Sequence, residues 1–367
     1  MIDACELAPS YVRGIAPYQP GKPISELARE MGLDEAAIIK LASNENPQGC
    51  SPAVKEAVER EMREVARYPD SNGFALKAAL AAHYSVSAAQ VILGNGSNDV
   101  LELAAKALLY PGSSSVYSQH AFVVYPLAVQ AMGATPIVVP AKDFGHDMDA
   151  MVAAIRADTR VLWIANPNNP TGTFIETATL QRTLARVPSN VVIVLDEAYN
   201  EYLPDSLRTD TVAWLKHFPN LIITRTFSKA YGLAGLRIGY GLTHPDTAEL
   251  LNRVRQPFNV SSVAQAAALA GLADQAFVAQ GRELNAAGMR QIIEGVTGMG
   301  LSYIPSCGNF ITVRVGKAAE VYQRLLRAGV IVRPVGGYGL PEHLRVSIGL
   351  PAENERFLRA LADALRT

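Results

Sequence analysis

The chain has 367 residues, of which 49% are hydrophobic and 18% are charged, and its formal net charge is -1. This length predicts two domains or one large domain with a smaller lobe, and the apolar content excludes an intrinsically disordered chain. The balance of 33 basic and 34 acidic residues argues against a nucleic-acid-binding or polybasic membrane surface.

From Val91 onward, short runs of apolar and β-branched residues alternate with amphipathic stretches. Strands are predicted at 91–93, 115–117, 135–139, 161–164, 191–195, 221–224 and 238–240. Helices are predicted between them at 100–109, 125–132 and 177–186. Because most of the strands are apolar at consecutive positions, we expect them to be buried on both faces. The pattern predicts an α/β fold whose large domain has three αβα layers and a mostly parallel sheet.

The pattern changes after Asn259. Further helices are predicted at 261–272, 274–296, 318–328 and 353–365, and short strands at 310–315, 330–332 and 344–348. This mixture predicts a smaller α+β domain that is joined by the N-terminal segment. We therefore expect a large domain at 46–259 and a small domain formed by 1–45 and 260–367.

The three cysteines, Cys5, Cys50 and Cys307, are too few and too widely spaced to predict a disulfide framework or a metal site. The N-terminus lacks the apolar core of a signal peptide. No uninterrupted apolar stretch of about 20 residues occurs that would cross a bilayer. These features predict a cytoplasmic protein without a metal, a membrane contact or a nucleic-acid partner.

Four loops follow predicted strands, at the edge where open parallel sheets carry their active sites. The first, 94–99 (GNGSND), precedes a helix. Its glycines would let backbone N–H groups near Ser97 and Asn98 approach an anion closely. The alternative is an ordinary glycine turn in which one of these two side chains caps the helix.

The second and third loops carry an amide and a carboxylate. Asn169 lies in 165–172 (ANPNNPTG), where two Asn-Pro steps would hold its amide rigidly for a hydrogen bond to a ring oxygen, unless the segment is a plain turn. Asp196 follows the apolar run 191–195, and a buried acid is costly unless it is paired. A protonated pyridine nitrogen would be such a partner. A metal-binding carboxylate or a helix N-cap are the alternatives, although the chain has no G-x-x-x-x-G-K-[ST] loop to accompany a metal.

The fourth loop, 226–237 (TFSKAYGLAGLR), contains Lys229 just after the predicted strand 221–224. Lysine forms Schiff bases, and Ser228 with Arg237 would suit a phosphate. Together they predict an aldehyde cofactor that carries its own phosphate, which is pyridoxal 5'-phosphate. A solvated lysine near a turn is the alternative that this segment alone leaves open.

The ordered set of these loops resembles the fold-type I pyridoxal-phosphate-dependent (class I/II) aminotransferases. Within that group the chain is similar to the histidinol-phosphate aminotransferases, from about Tyr18 to the C-terminus. The segments that carry the resemblance are 41–47 (LASNENP), 67–69 (RYP), 169–172 (NPTG), 196–199 (DEAY), 227–229 (FSK), Arg237 and 344–349 (LRVSIG). The resemblance implies an aspartate aminotransferase-like fold.

The resemblance also implies a cofactor site around Lys229, which would form an aldimine with pyridoxal 5'-phosphate. Asp196 would pair with the pyridine nitrogen, and Tyr199 and Asn169 would bind the ring hydroxyl. Phe122 falls where the family usually stacks an aromatic ring, often tyrosine, on the cofactor. The residues expected to hold the phosphate are Ser97, Asn98, Ser228 and Arg237. Asn98 stands where an aspartate is common, and both departures leave the substrate preference open.

On the substrate side, Arg345 would bind the anionic group, with Arg333 as its helper. Tyr18 and Asn46 are the other residues expected to contact the substrate. Tyr68 would reach the cofactor in the neighbouring subunit, which implies a homodimer with shared active sites.

The implied reaction moves an amino group between L-histidinol phosphate and 2-oxoglutarate, giving imidazole acetol phosphate and L-glutamate, in histidine biosynthesis. Lys229, Asp196 and Tyr199 would be its catalytic residues. Three alternatives stay open: an aromatic amino-acid aminotransferase, a pyridoxal-phosphate-dependent decarboxylase of a phosphorylated amino acid, and a non-catalytic binding paralogue.

Overall fold

The computed structural model describes residues 4–366. Its α-helices are α1 (Ser10–Arg13), α2 (Ile24–Met31), α3 (Pro52–Glu61), α4 (Phe74–Tyr84), α5 (Ser97–Leu108), α6 (Val124–Ala131), α7 (Met148–Ala153), α8 (Thr177–Leu184), α9 (Pro245–Val254), α10 (Ser262–Ala273), α11 (Gln275–Gly298), α12 (Ala318–Arg327) and α13 (Pro351–Arg366). Its strands are β1 (Ile39–Lys40), β2 (Val91–Gly94), β3 (Ser114–Ser118), β4 (Thr135–Val139), β5 (Thr159–Ala165), β6 (Val192–Asp196), β7 (Leu221–Thr226), β8 (Gly239–Thr243), β9 (Ser302–Ile304), β10 (Phe310–Arg314), β11 (Val330–Ile331), β12 (Arg333–Pro334) and β13 (His343–Ser347).

The larger sheet has seven strands in the order β2-β8-β7-β6-β5-β3-β4. Strands β3 to β7 pair in parallel, and β8 lies antiparallel between β7 and β2. Successive residues of β5 alternate between two buried cores: Leu162 and Ile164 belong to one, Val161 and Trp163 to the other. Each face is therefore covered, and the predicted three-layer αβα arrangement with a mostly parallel sheet is confirmed.

A second, antiparallel sheet has the order β12-β13-β10-β9, and its core includes side chains from α11, α12 and α13. The N-terminal segment joins this part of the molecule, because β1 pairs in parallel with β11 through Ile39 and Val330. The predicted smaller α+β unit with an N-terminal contribution is therefore present.

The boundary predicted between 259 and 260 stays a prediction. Helix α10 begins just after that point, yet its residues Ala264, Ala267 and Ala268 are part of the core beneath the seven-stranded sheet. Residues 1–3 and 367 of the predicted small domain lie outside the described residues.

The topology gathers the predicted loops at one edge. Strands β2, β5, β6 and β7 all end there, so that 94–99, 165–172, 195–199 and 226–237 lie side by side. In the part of the chain that the structure describes, no helix has the length and apolar character needed to cross a membrane. No cluster of three metal-ligating side chains occurs among those residues.

Candidate active site

One cavity opens at this edge, between the two sheets. Twelve of the fourteen predicted site residues line it: Tyr18, Ser97, Asn98, Phe122, Asn169, Asp196, Tyr199, Ser228, Lys229, Arg237, Arg333 and Arg345. The geometry brings these side chains together, while the role of each one stays a prediction.

Asp196 ends strand β6 on the floor of the cavity and is 5% exposed. Its carboxylate accepts hydrogen bonds from the Tyr125 hydroxyl at 2.8 Å, the Thr224 hydroxyl at 3.1 Å and the Ala198 backbone N–H at 3.3 Å. Burial raises the pKa of Asp196, and the three donors oppose that rise. Among residues 4–366 no cationic side chain forms an ion pair with it, so the charge of this carboxylate calls for a cation from a ligand.

Lys229 is the amine of the cavity. Its Nζ donates to the Ser43 carbonyl at 3.0 Å and lies 5.9 Å from the centre of the Tyr199 ring. Burial, and then the positive charge of Arg345, lower the pKa of Lys229 to about 8. A larger fraction of this lysine is therefore neutral near physiological pH than of an exposed lysine.

Two further groups have a donor free to bind a ring oxygen. The Tyr199 hydroxyl accepts from Asn44 Nδ2 at 2.9 Å, which leaves its own proton to be donated elsewhere, and burial raises the pKa of Tyr199 to about 12. Asn169 accepts from Arg345 Nη1 through Oδ1 at 2.5 Å, which leaves its NH₂ group as a donor.

The far wall is built for an anion. Helix α5 begins after Gly96, which has φ +80° and provides no side-chain cap for the first N–H groups. Arg237 Nη1 donates to the Ser228 hydroxyl at 3.4 Å and closes this wall. A Cβ at Gly96 would lie 2.5 Å from Arg237 Nη2, and one at Gly239 would lie 2.3 Å from the Ser97 nitrogen. Glycine is therefore required at both positions, and the N–H groups and the guanidinium converge as in a phosphate site.

The wall from the smaller sheet carries two arginines. Arg345, on β13, donates through Nη2 to the Ala42 carbonyl at 2.7 Å, and its buried Nε has no hydrogen-bond partner among the described residues. Arg333 donates to the Gln19 carbonyl at 2.6 Å and lies over the Tyr18 ring at 5.5 Å.

The structure keeps two predicted residues out of the cavity. Asn46 donates through Nδ2 to the Ala230 carbonyl at 2.9 Å and supports the backbone beside Lys229. Its predicted contact with the substrate stays a prediction. Tyr68 is 82% exposed and stacks on Phe258 at 4.7 Å, outside the cavity of its own chain.

Sequence reasoning missed four residues that shape the cavity: Ser43, Asn44, Tyr125 and Tyr338. Asn44 lies in the segment 41–47, two residues before the asparagine that was selected instead, and a positive φ of 54° marks it structurally. Tyr125 lies on α6, three residues after Phe122, and its hydroxyl acts on Asp196, 71 positions away in the chain, so the sequence carried no signal for this contact.

The chain is similar to known proteins along nearly its whole length. The model of the family described as aminotransferase class I and II matches residues 36–361. The chain is 59% identical to histidinol-phosphate aminotransferase 2 of Nitrosospira multiformis over 367 residues, which cover all of this chain and 94% of that protein. It is 57% identical over 366 residues to histidinol-phosphate aminotransferase 2 of Pseudomonas aeruginosa, covering 100% and 99% of the two chains.

Solved structures agree with the sequence relatives. Histidinol-phosphate aminotransferase from Sinorhizobium meliloti in complex with pyridoxal-5'-phosphate superposes with a TM-score of 0.90 at 29% identity, covering 97% of each chain. An aspartate aminotransferase double mutant from Thermus thermophilus superposes with a TM-score of 0.84 at 24% identity, covering 98% and 99% of the chains, and shares the fold.

Proposed function

The chain belongs to the family of class I and II aminotransferases, and from this premise we propose that it exchanges an amino group between L-histidinol phosphate and 2-oxoglutarate in histidine biosynthesis. The products are imidazole acetol phosphate and L-glutamate. Relatives named for this activity align along the whole chain and support the choice of substrate. The observation that carries the chemistry is the cavity, which holds a lysine amine of lowered pKa and a buried carboxylate that has no cationic partner among the described residues.

The residues present fit pyridoxal 5'-phosphate as the cofactor, which the Sinorhizobium meliloti relative binds. The phosphate would be held by the uncapped start of α5, Ser228 and Arg237. Asp196 would face the pyridine nitrogen, and Phe122 would cover the ring. The bound cofactor supplies an aldehyde that condenses with amines and a protonated ring that accepts electrons.

Lys229 moves the proton in this proposal. Because its pKa is lowered to about 8, it is able to take a proton from the substrate carbon that carries the amino group and to return one later. Its reach is fixed by the hydrogen bond from Nζ to the Ser43 carbonyl. Asp196 keeps its negative charge opposite the ring because Tyr125 and Thr224 donate to it.

Arg345 binds the anionic group of both substrates. Glutamate carries an α-carboxylate, whereas histidinol phosphate has a phosphate and no carboxylate. A guanidinium forms paired hydrogen bonds with either anion, and Nη1 and Nη2 of Arg345 each have a second N–H beside the one that they donate to Asn169 and Ala42. One arginine would thus serve both half-reactions.

The proposal includes a homodimer and a cytoplasmic location. Several large apolar side chains that are exposed in the single chain support the dimer: Met62, Val65, Tyr68, Phe74 and Phe258. The rings of Tyr68 and Phe258 stack on each other at 4.7 Å, so at least this part of the apolar surface is contiguous. In the dimer Tyr68 would reach the cofactor of the partner subunit.

A half-reaction tests the function. Cofactor-loaded protein is mixed separately with histidinol phosphate, glutamate, phenylalanine and tyrosine, and the visible absorbance of the bound cofactor is followed. Fast conversion by histidinol phosphate and glutamate alone is expected. Faster conversion by the aromatic amino acids would move the protein to aromatic metabolism, and carbon dioxide release without a 2-oxo acid would indicate a decarboxylase.

Mixed dimers test the shared site. A preparation of Lys229→Ala and one of Tyr68→Ala are each expected to be nearly inactive. When they are unfolded and refolded together, activity returns only if one intact site can form from two chains. No recovery, with sedimentation showing a monomer, would contradict the dimer.

A further inference from the structure

Two loops from opposite sides of the cavity meet at His120. The loop 118–122 carries Phe122, and the one-turn 3-10 helix Gly336–Tyr338 carries Tyr338; both aromatic rings line the cavity. His120 is 6% exposed, and its Nδ1 lies 2.6 Å from the Tyr338 carbonyl oxygen. Since a carbonyl can only accept, Nδ1 carries the proton.

Other contacts surround this hydrogen bond. The His120 carbonyl accepts from Asn168 Nδ2 at 3.0 Å, next to the predicted ring-binding Asn169. The Phe144 ring stacks on the imidazole at 6.3 Å. On the other side of the hydrogen bond, Gly339 has φ +78°, and a Cβ there would lie 3.5 Å from His120 Cε1. The imidazole is therefore held in one orientation against the turn.

The backbone of the loop that carries Phe122 is fixed without this side chain. The Gln119 N–H donates to the Val139 carbonyl at 2.8 Å, and the Ala121 N–H donates to the Ser118 carbonyl at 3.0 Å. The turn at 336–339 is held by short-range hydrogen bonds from the Tyr338 and Gly339 N–H groups to the Val335 and Gly336 carbonyls. The Tyr338 hydroxyl also has a hydrogen bond with the Val123 backbone, and its ring packs against the cluster of Val335 and Leu340. Removing the imidazole would therefore free the Tyr338 carbonyl and loosen the turn, while the cofactor-facing loop stays in place.

We propose that His120 is a positioning residue that holds Tyr338 against the substrate side of the cavity and thereby sets the affinity for the amino donor. Tyr338 shares that wall with Tyr18, Arg333 and Arg345. Correct orientation of such groups before binding lowers the entropic cost of binding. The inference rests on the proposed function for the identity of the donor, and on the hydrogen bond itself for the effect.

A pair of variants of similar shape isolates the hydrogen bond. In His120→Asn, the amide nitrogen is attached to Cγ as Nδ1 is, so a donor stays near the Tyr338 carbonyl. His120→Leu has nearly the same shape as the asparagine variant and no donor. The amine dissociation constant is taken from the concentration dependence of the half-reaction, which separates binding from chemistry.

His120→Leu is expected to weaken amine binding by roughly tenfold, the upper range for one net hydrogen bond, with less than about threefold change in the limiting rate. His120→Asn is expected to stay within about threefold of the wild type, and both variants should bind pyridoxal 5'-phosphate as the wild type does. Equal impairment of the two variants would overturn the proposal, and so would parallel loss of cofactor affinity in His120→Leu.

A second variant changes the turn itself, at Gly339, and leaves His120 in place. Gly339→Ala strains a residue at φ +78° beside the imidazole and is expected to weaken amine binding in the same direction. If His120→Leu does not fold, unchanged amine binding by Gly339→Ala overturns the proposal. The comparison is run with both histidinol phosphate and glutamate. Failure of the wild type to react with histidinol phosphate would count against the proposed function alone, since the variants are still compared with glutamate.

Discussion

Asp196 and Glu197 are neighbours at the end of β6 and are both buried, at 5% and 3% exposure, yet their surroundings differ. Asp196 faces the cavity, and its hydrogen-bond donors in the described part of the chain are all neutral. Glu197 faces the opposite side, where one carboxylate oxygen accepts from Arg225 Nε at 3.0 Å and Nη2 at 2.7 Å. Its other oxygen accepts from the Thr211 hydroxyl at 2.8 Å.

The cations on the two sides differ in the same way. Arg225 is joined to its acid, whereas Lys229 has no ion pair among residues 4–366 and donates to a carbonyl. A buried acid and base that are paired have a structural role, because removal of either one leaves an uncompensated buried charge and destabilises the fold. A buried acid and a half-buried base that line one cavity without pairing are available to a ligand. The sheet edge therefore has a reactive side, with Asp196 and Lys229, and a structural side, with Glu197 and Arg225.

The largest expected effect lies on the cavity side. Lys229→Ala should lower turnover by about 10⁴-fold, because it removes the group that moves the proton. Lys77→Ala is a matched control, since burial also lowers the pKa of Lys77 and that residue lies outside the cavity. Steady-state turnover of both variants, each loaded with cofactor, is the measurement. Turnover above about 1% in Lys229→Ala would contradict the assignment.

Asp196→Asn should lower turnover by about 10²–10³-fold without loss of stability, because an amide keeps the size of the carboxylate and loses its charge. The pKa of Asp196 is raised by burial, so the charged carboxylate is destabilising in the cofactor-free protein. Its replacement should leave the free energy of unfolding unchanged or slightly higher. Denaturant unfolding beside turnover measures both, and a large loss of stability would make Asp196 a structural residue like its neighbour.

Glu197→Gln should lower stability and leave turnover largely unchanged, which is the reverse of the result expected for Asp196→Asn. The amide cannot neutralise the guanidinium of Arg225, and a buried charge left without its partner costs about 3–5 kcal/mol of folding free energy. Enzyme that remains folded should retain most of its turnover, because Glu197 does not line the cavity. Equilibrium unfolding in urea checks the first statement and turnover per folded molecule the second. A stable but inactive variant would erase the distinction between the two sides.

Only part of this distinction between the two sides of the sheet edge could be predicted from the sequence. Lys229, Asp196 and Asn169 were predictable because each follows an apolar strand, and parallel strands end at one edge. Tyr125 and Asn44 were not, since they act on residues 71 and 155 positions away in the chain. The opposite orientation of Glu197 follows from the period of two along a strand, but its partner Arg225 is identified only by the pairing of β6 with β7.

Some helices could be predicted from the sequence and others could not, and the reason is physical. Helix α5 buries Val100, Leu101, Leu103 and Ala104, which gives the chain a readable apolar face. Helix α4 (Phe74–Tyr84) is rich in alanine on all sides, so its period is weak and it was not predicted. Asn46 was preferred to Asn44 because nothing in 41–47 tells which of two asparagines turns towards a site that forms across two sheets.

Tyr125→Phe, also on the cavity side, should lower turnover less than Lys229→Ala and Asp196→Asn do. The variant removes the 2.8 Å hydrogen bond to Asp196 and keeps the stacking of the ring on Trp163 at 5.1 Å. Hydrogen bonds to charged groups contribute about 1.5–3 kcal/mol, so turnover should fall by roughly 10- to 150-fold. Tyr240→Phe is the control on the structural side, where the lost hydroxyl bonds Tyr84. Equal losses of turnover in both variants would show that a buried hydroxyl matters on either side.

The smallest expected effect is a pH dependence of stability in the cofactor-free protein. The pKa of Lys229 falls from an ordinary value of 10.5 to about 8 on folding, so below pH 8 the folded state carries a charge that burial disfavours. Between pH 8 and pH 10.5 the unfolded state binds more protons at this lysine than the folded state does, so the free energy of unfolding increases as pH rises.

Lys229→Met removes this contribution to the pH dependence of stability. It should therefore melt above the wild type at pH 7, and the difference should shrink as pH rises through 8 towards 10. Lys55→Met, on the exposed face of α3, should melt with the wild type throughout. A difference between Lys229→Met and the wild type that does not change with pH would mean that this lysine is not held as an isolated, partly buried amine, and the contrast with the paired Arg225 would fail.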